Sequence, residues 1–307
     1  MGWFIYALVA ATLFSGSVLT DKFLLTRYFK NVSTLTLTAA AALAGAPFLL
    51  IFILLFNDIP DARTFLTGLT AGWMLMTAYQ IYYVALKKAD TALISTLFQL
   101  ILPFNFIIGI TYFNEQPTIT QIVGLVIVGI ASIIISLDEK ESKWTFRVDI
   151  LLMMAAASLL VSLSDAVFKF GAENSSFTSL AISEYSSALL AGIIIIVFSK
   201  KVRRELKKLR KHLSRTTSVL GFNEGLTLGG TLALRYALVI GPIALVQGVL
   251  SAQPLITVIM VTILSFFGLK INEQRSAQKR TLKVAVEIGA VILVCIGSAM
   301  LSGVFQK

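Results

Sequence analysis

The sequence predicts an all-α polytopic membrane protein in which ten transmembrane helices form two five-helix repeats of inverted topology. Three observations lead there. With 57% hydrophobic and 14% charged residues and a mean hydropathy of +0.85, the chain carries more apolar surface than one soluble core hides, so lipid is its solvent. One stretch is written twice: Pro103 to Ser136 and Pro254 to Ser302 each hold a proline in an apolar run, then Asn-Glu-Gln, then an apolar glycine-containing run closing on serine. This is an internal repeat. Five spans per half, an odd number, turn the second half over in the membrane, which is the inverted-repeat architecture of many secondary transporters.

The windows of near-spanning length fall at 3–20, 33–56, 65–86, 90–112 and 118–136 in a first repeat covering 2–136. They continue at 149–170, 177–198, 217–239, 243–268 and 283–303 in a second repeat covering 149–303. The first window has no basic segment before it and is followed by Asp21 and Lys22 without a small-residue cleavage site, so it reads as a retained span and not a signal peptide. Two connections are longer than the rest: the mixed-charge linker Leu137 to Arg147 and the basic amphipathic stretch Lys200 to Arg215. The repeats agree beyond Asn-Glu-Gln. Ala85-Leu86 and Ala92-Leu93 precede Pro103, as Ala237-Leu238 and Ala244-Leu245 precede Pro254. Gly-Leu-Thr-x-Gly occurs at 68–72 and at 225–229, and each copy predicts a close-packing helix face.

Polar residues inside the spans are the candidate site. Pro103 and Pro254 each remove a helical hydrogen bond and bend their helix, freeing the carbonyls of Gln99 and Leu250. Gln99 shares a face with Pro103, and Gln247 and Ser251 share one with Pro254. Each half thus offers a freed carbonyl and an amide or hydroxyl near mid-membrane, and Gln99 and Gln247 are expected to approach one another across a cavity. Asn105 and Gln253 lie on other faces and suit contacts between helices.

Ionisable groups within spans are functional hypotheses by default. Asp165 and Lys169 are spaced to pair on the sixth span, Glu184 stands isolated on the seventh, and Glu287 lies near enough to a helix end to reach the interface. On the eighth span Glu224 and Arg235 share a stripe with Thr231, roughly 16 Å apart along the axis and too far to pair. An acid, a hydroxyl and a base in line suit a zwitterion. Glu115 and Glu273 sit where a carboxylate caps the next helix, Glu115 just before Pro117.

Several chemistries are argued against. The single Cys295 rules out an intrachain disulfide framework, and the single His212, among lysines and arginines, suits a solvated loop better than a metal cluster or a triad. No phosphate loop of the G-x-x-x-x-G-K-[ST] kind is present, so no ATP motor is encoded. The chain is therefore expected to have no catalytic residues, metal or cofactor. The net charge of +10 is read as a membrane-orientation signal, with a lipid bilayer as partner and no nucleic acid. Lys and Arg crowd into the odd-numbered connections, which the positive-inside rule places in the cytoplasm with both termini outside.

Ten spans in two five-helix halves, each with a fourth-helix proline, a glutamate at the fourth-to-fifth junction and a glycine-bearing fifth helix, resemble the EamA-like branch of the drug/metabolite transporter superfamily. The resemblance covers nearly the whole chain. It implies a central cavity lined mainly by helices 1, 3, 4, 6, 8 and 9, alternating access to the two sides, and both termini inside. It implies no substrate, because the family moves amino acids, sugars, nucleotide-sugars and drugs. The expectation is a multi-pass cell-membrane carrier of a small organic metabolite such as an amino acid, with Gln99, Pro103, Glu224, Thr231, Arg235, Gln247, Ser251 and Pro254 as substrate-binding residues. Glu224 is the expected proton-coupling group, since the resemblance assigns its helix, and not that of Glu184, to the cavity. An anionic metabolite, nucleotide-sugar or drug is the alternative cargo; a membrane enzyme or a sensor or scaffold is the alternative class.

Overall fold

A computed structural model describes residues 2–266 except 90, 117, 136, 141–142 and 210–212, together with isolated positions between 289 and 300, and for some helical residues the backbone alone. Pro117, His212, Glu273, Glu287, Cys295, most of the tenth window and the side chain of Pro254 lie outside the described residues.

A backbone in lipid has no water to bond, so each apolar run satisfies its own N–H and C=O groups as a helix. The helices are α1 (Gly2–Arg27), α2 (Thr34–Phe56), α3 (Ala62–Lys88), α4 (Thr91–Leu97), α5 (Ile101–Tyr112), α6 (Ile119–Ile135), α7 (Val148–Ala172), α8 (Phe177–Phe198), α9 (Lys200–Leu209), α10 (Leu213–Ile240), α11 (Ile243–Leu250) and α12 (Gln253–Phe266). Four of them, α1, α2, α7 and α8, are long and apolar enough to cross a membrane. Large apolar side chains such as Leu54, Leu55, Ile119 and Phe198 stand exposed on their outer faces. The linker between the halves is a two-stranded antiparallel hairpin, β1 (Leu137–Lys140) with β2 (Lys143–Phe146), Leu137 opposite Phe146. Its strands are the only ones among the described residues.

The fourth and ninth windows are interrupted, not bent. A 3-10 turn, Phe98–Leu100, separates α4 from α5, and residues 251–252 turn between α11 and α12. Pro103 and Pro254 consequently stand in the first turn of the helix after each break, where a missing N–H costs little. Carbonyls around the breaks are met by serines of other helices: Ser158 and Ser162 of α7 donate to Phe98 O and Ile101 O at 3.3 Å each, and Ser15 of α1 donates to Gln253 O at 3.0 Å.

The packing is mostly between the halves: α1 lies against α10, α11 and α12, α3 against α7 and α8, α2 against α8 and α10, and α5 against α7 and α11. The first Gly-Leu-Thr-x-Gly copy is a close-packing face. A methyl group at Gly68 would overlap Ser183, and one at Gly72 would overlap the Glu184 carbonyl and Ser187. The second copy meets only side chains, Phe48 at 3.6 Å from Gly225 and Leu13 at 3.2 Å from Gly229, so its packing is looser.

Two carboxylates tie down the ends of α2, one to α9 and one to α8. Glu205 of α9 accepts from the Ser33 N–H at 2.9 Å, from its hydroxyl at 2.8 Å and from the Thr36 hydroxyl, all at the start of α2. Asp58, just after α2, accepts from the Ser176, Thr178 and Ser179 hydroxyls at the start of α8. Those hydroxyls, Ser176 foremost, hold the Asp58 carboxyl down at about 2. Glu115 also caps a helix distant in sequence: its Oε1 accepts from Ile243 N at 3.0 Å, at the first turn of α11.

Candidate functional site

The polar groups inside the bundle converge on Arg235, whose side chain is 1% exposed. α10 delivers it between α7 and α8. Its Nε donates to both Glu184 oxygens at 3.1 and 3.2 Å, its Nη2 to Glu184 and to Ser164 Oγ at 2.6 Å, and its Nη1 to Asp165. The guanidinium also lies over the Phe168 ring, 4.9 Å from its centroid. Asp165 receives two further donors, Gln247 Nε2 at 2.7 Å and Asn105 Nδ2 at 3.2 Å. Arginine suits this position because its fixed fork of five N–H donors serves two carboxylates and a hydroxyl at once.

This network corrects three expectations. Asp165 does not pair with Lys169, whose Nζ instead donates to Gly241 O at 2.9 Å and lies 5.1 Å from the Phe113 ring centroid. Spacing along one helix favoured the pair, but the guanidinium of a second helix offers Asp165 a buried partner that Lys169, further along, does not. Glu184 is not isolated. And Arg235 is not an open base awaiting a carboxylate, since two acids already hold it.

A second acid sits on the α1 side. Asp21 is 5% exposed; it accepts from Asn223 Nδ2 at 2.8 Å and from the Tyr82 hydroxyl at 3.3 Å. Lys22 points away from it and donates to Leu86 O at 2.9 Å and Ala89 O at 2.6 Å. These bonds let α1 run on to Arg27 through two charged residues that were expected to flank a shorter span.

Two adjoining cavities lie at the two acid centres. Asp21, Asp165, Arg235 and Gln247 line the first, with Phe98 and Ile101. Glu184 and Glu224 line the second. Tyr79, Tyr83, Thr227 and Thr231 line both.

Thr231, Arg235, Gln247 and Glu224 therefore face cavities, and Gln253, placed by the sequence on another face, does too. Gln99, Pro103 and Ser251 are not among the lining residues. The 3-10 turn explains Gln99: residues three apart eclipse there, so Phe98 and Ile101 take the cavity face and Gln99 is buried away from it. Ser251 spends its hydroxyl on Gly248 O within its own turn. Asn105 does bridge helices, as its face suggested. Asp21 and the tyrosines Tyr79, Tyr82 and Tyr83 were missed, although three tyrosines within five residues of one span were a visible signal.

Comparison with known proteins adds a family match over the first part of the chain. Residues 1–137 match the EamA-like transporter family. That stretch belongs to it. The family is part of the drug/metabolite transporter superfamily, and the match together with the four apolar helices makes this a multi-pass membrane protein. No curated protein matches it. A crystal structure of a protein described only as "protein" superposes with a TM-score of 0.65 over 99% of this chain and 98% of that one, at 14% identity. At that identity the likeness is one of fold alone.

Proposed function

We propose that this EamA-like protein is a secondary transporter that carries a small amine-bearing organic metabolite through a central cavity by alternating access between two inverted five-helix repeats. One observation carries the reading. Arg235 stands two residues before Ala237-Leu238, just as Tyr83 stands two before Ala85-Leu86, and Asp165 and Asp21 precede Ser176 and Ser33, the serines at the N-cap positions of α8 and α2. The contact of Asp165 with Arg235, α7 to α10, therefore has its counterpart in the contact of Asp21 with the Tyr82-Tyr83 segment, α1 to α3. The serine contacts to the broken helices exchange in the same way: α7 serves the fourth span, α1 the ninth. Such interchange is what a two-fold axis in the membrane plane produces, and two nearly equivalent halves around one cavity can trade conformations.

Arg235 is engaged, so the amino group of the expected amino acid is easier to place than its carboxylate. Four carboxyl side chains and one basic side chain line the two cavities, which disfavours the anionic metabolite or nucleotide-sugar alternative. The test is counterflow: proteoliposomes preloaded with a primary amine solute should accumulate the labelled solute with no energy source. Absence of counterflow for every amine in a broad panel, in protein shown to be folded, would remove the transporter reading.

Orientation gives a separate prediction. A cysteine replacing Lys207 should be shielded from impermeant thiol reagents in intact cells and one appended after Lys307 should react, as the loop charges require. The opposite labelling would place the basic loop outside.

A further inference from the structure

We infer that Lys22 and Lys169 are a matched pair of positioning residues that latch the two ends of the cavity, and that release of either one opens the cavity on its own side. The inference rests on the transport reading and names what sets the side of access. It begins with two sets of bonds. Lys22 of α1 donates through Nζ to Leu86 O at 2.9 Å and to Ala89 O at 2.6 Å, and Lys169 of α7 donates to Gly241 O at 2.9 Å. Ala89 and Gly241 hold the same place in the repeat, each four residues after the alanine of Ala85-Leu86 or Ala237-Leu238. Both carbonyls stand at the C-terminal end of a long helix, α3 or α10, just before the first segment of a broken span, α4 or α11. The last carbonyls of a helix have no partner within it, and an ammonium group placed there also meets the negative end of the helix dipole. Lys22 follows Asp21 by one residue and Lys169 follows Asp165 by four, yet both reach the same carbonyl of the repeat. Local spacing does not produce that coincidence; a shared task at the two turns does.

The two turns lie at opposite ends of the bundle. The hydroxyls of Thr64, in the first turn of α3, and Ser175, just past the end of α7, are 2.7 Å apart, and a methyl group on Gly171 of α7 would overlap Thr67. Lys169 therefore sits where α3 begins, and Lys22 where α3 stops. The first cavity lies between them, with Asp21, beside Lys22, and Asp165, one turn before Lys169, in its wall. Neither lysine lines a cavity; each ties α1 or α7 to a turn beyond the wall. At the Lys169 end the ammonium group also lies 5.1 Å from the Phe113 ring centroid, and Glu115 holds the same turn through Ile243 N at 3.0 Å. Both sets of lysine bonds are made in this structure. A bond from an ammonium group to neutral carbonyls is broken at lower cost than a buried pair such as Asp165 with Arg235, which suits a contact that opens once per cycle while the Arg235 network stays whole.

The test is a pair of spin-label distances on purified full-length protein in nanodiscs, in a Cys295→Ser background. Labels on Arg27→Cys and Lys88→Cys span the Lys22 end, and labels on Glu173→Cys and Ile240→Cys span the Lys169 end; all four positions are exposed. Lys22→Met should lengthen the first distance by at least about 2 Å, the scale of helix shifts in switching proteins, and leave the second unchanged. Lys169→Met should lengthen the second and leave the first unchanged, with the smaller shift because Glu115 still holds that turn. In each variant the unmoved pair reports that the bundle is folded. Lys22→Arg and Lys169→Arg, which keep a cation with several N–H donors, should keep the wild-type distances. A merely structural role predicts that either methionine variant loosens both ends or neither, and that result would overturn the pairing, as would a change confined to the far end. Should a methionine variant not fold, Lys22→Gln and Lys169→Gln carry the same expectation. Sided distance changes in a protein without counterflow of any solute would sink the transport reading and leave the latches standing; counterflow with distances indifferent to both lysines would do the reverse.

Discussion

Arg235→Met should lower stability by about 3–5 kcal/mol, the loss typical when one partner of a buried ion pair is removed, and should be the most damaging single polar substitution in the bundle. The cause is what remains: Asp165 and Glu184, 1% and 3% exposed, would face one another across α7 and α8 with only Ser164, Gln247 and Asn105 to solvate them. Arg235→Lys should fall between, because an ammonium keeps the charge but has three donors for a site that uses a planar fork. The measurement is thermal unfolding in a fixed detergent. Adding Asp165→Asn and Glu184→Gln to the methionine variant should recover much of the loss, since neutral amides cost less to bury than unpaired carboxylates. Wild-type unfolding of the single methionine variant would mean that the three charges are not assembled as described.

Glu224→Gln should abolish solute accumulation driven by a pH gradient while leaving counterflow near the wild-type rate. Glu224 lines the second cavity beside Tyr79 and Thr231, no hydrogen bond or ion pair reaches it among the described residues, and Gly45 opposite leaves its carboxylate room, the nearest approach being 3.6 Å from where a side chain would begin. Under the proposed alternating access, a carboxyl group with no fixed partner can load and unload a proton without breaking a structural bond. Asp165 and Glu184 cannot do so without releasing Arg235. Undiminished gradient-driven accumulation in the glutamine variant would make the protein a facilitator or exchanger with respect to this group.

The helical class was legible because lipid forces apolar windows into helices, and the first nine windows each overlap described helices. Ends were less legible. α1 extends to Arg27 because Asp21 and Lys22 find partners on α3 and α10 and on the carbonyls beyond, and hydropathy does not register partners. For the same reason the breaks before Pro103 and Pro254 were read as bends: nothing in either run announces that serines of α7 and α1 stand ready to take the carbonyls. In the site, Thr231, Arg235, Glu224 and Gln247 were found as polar letters in apolar spans. What those letters could not disclose was pairing, since Glu184 and Arg235 lie 51 residues apart on helices that meet only in the folded bundle. The notion of a free base for a carboxylate failed at that point, and with it the simplest account of a zwitterion.

The carboxylates at the two ends of the α2–α8 pair have a mechanical meaning. Asp58 grips the start of α8 from the end of α2, and Glu205 grips the start of α2 from just beyond the end of α8, so neither helix can slide or splay without breaking a set of hydroxyl bonds at one end or the other. The pair behaves as an axle seated in two bearings. The second cavity runs along this pair, with Ala41 and Gly45 of α2 and Tyr185 and Ala188 of α8 in its wall, so that wall is the one held fixed at both ends.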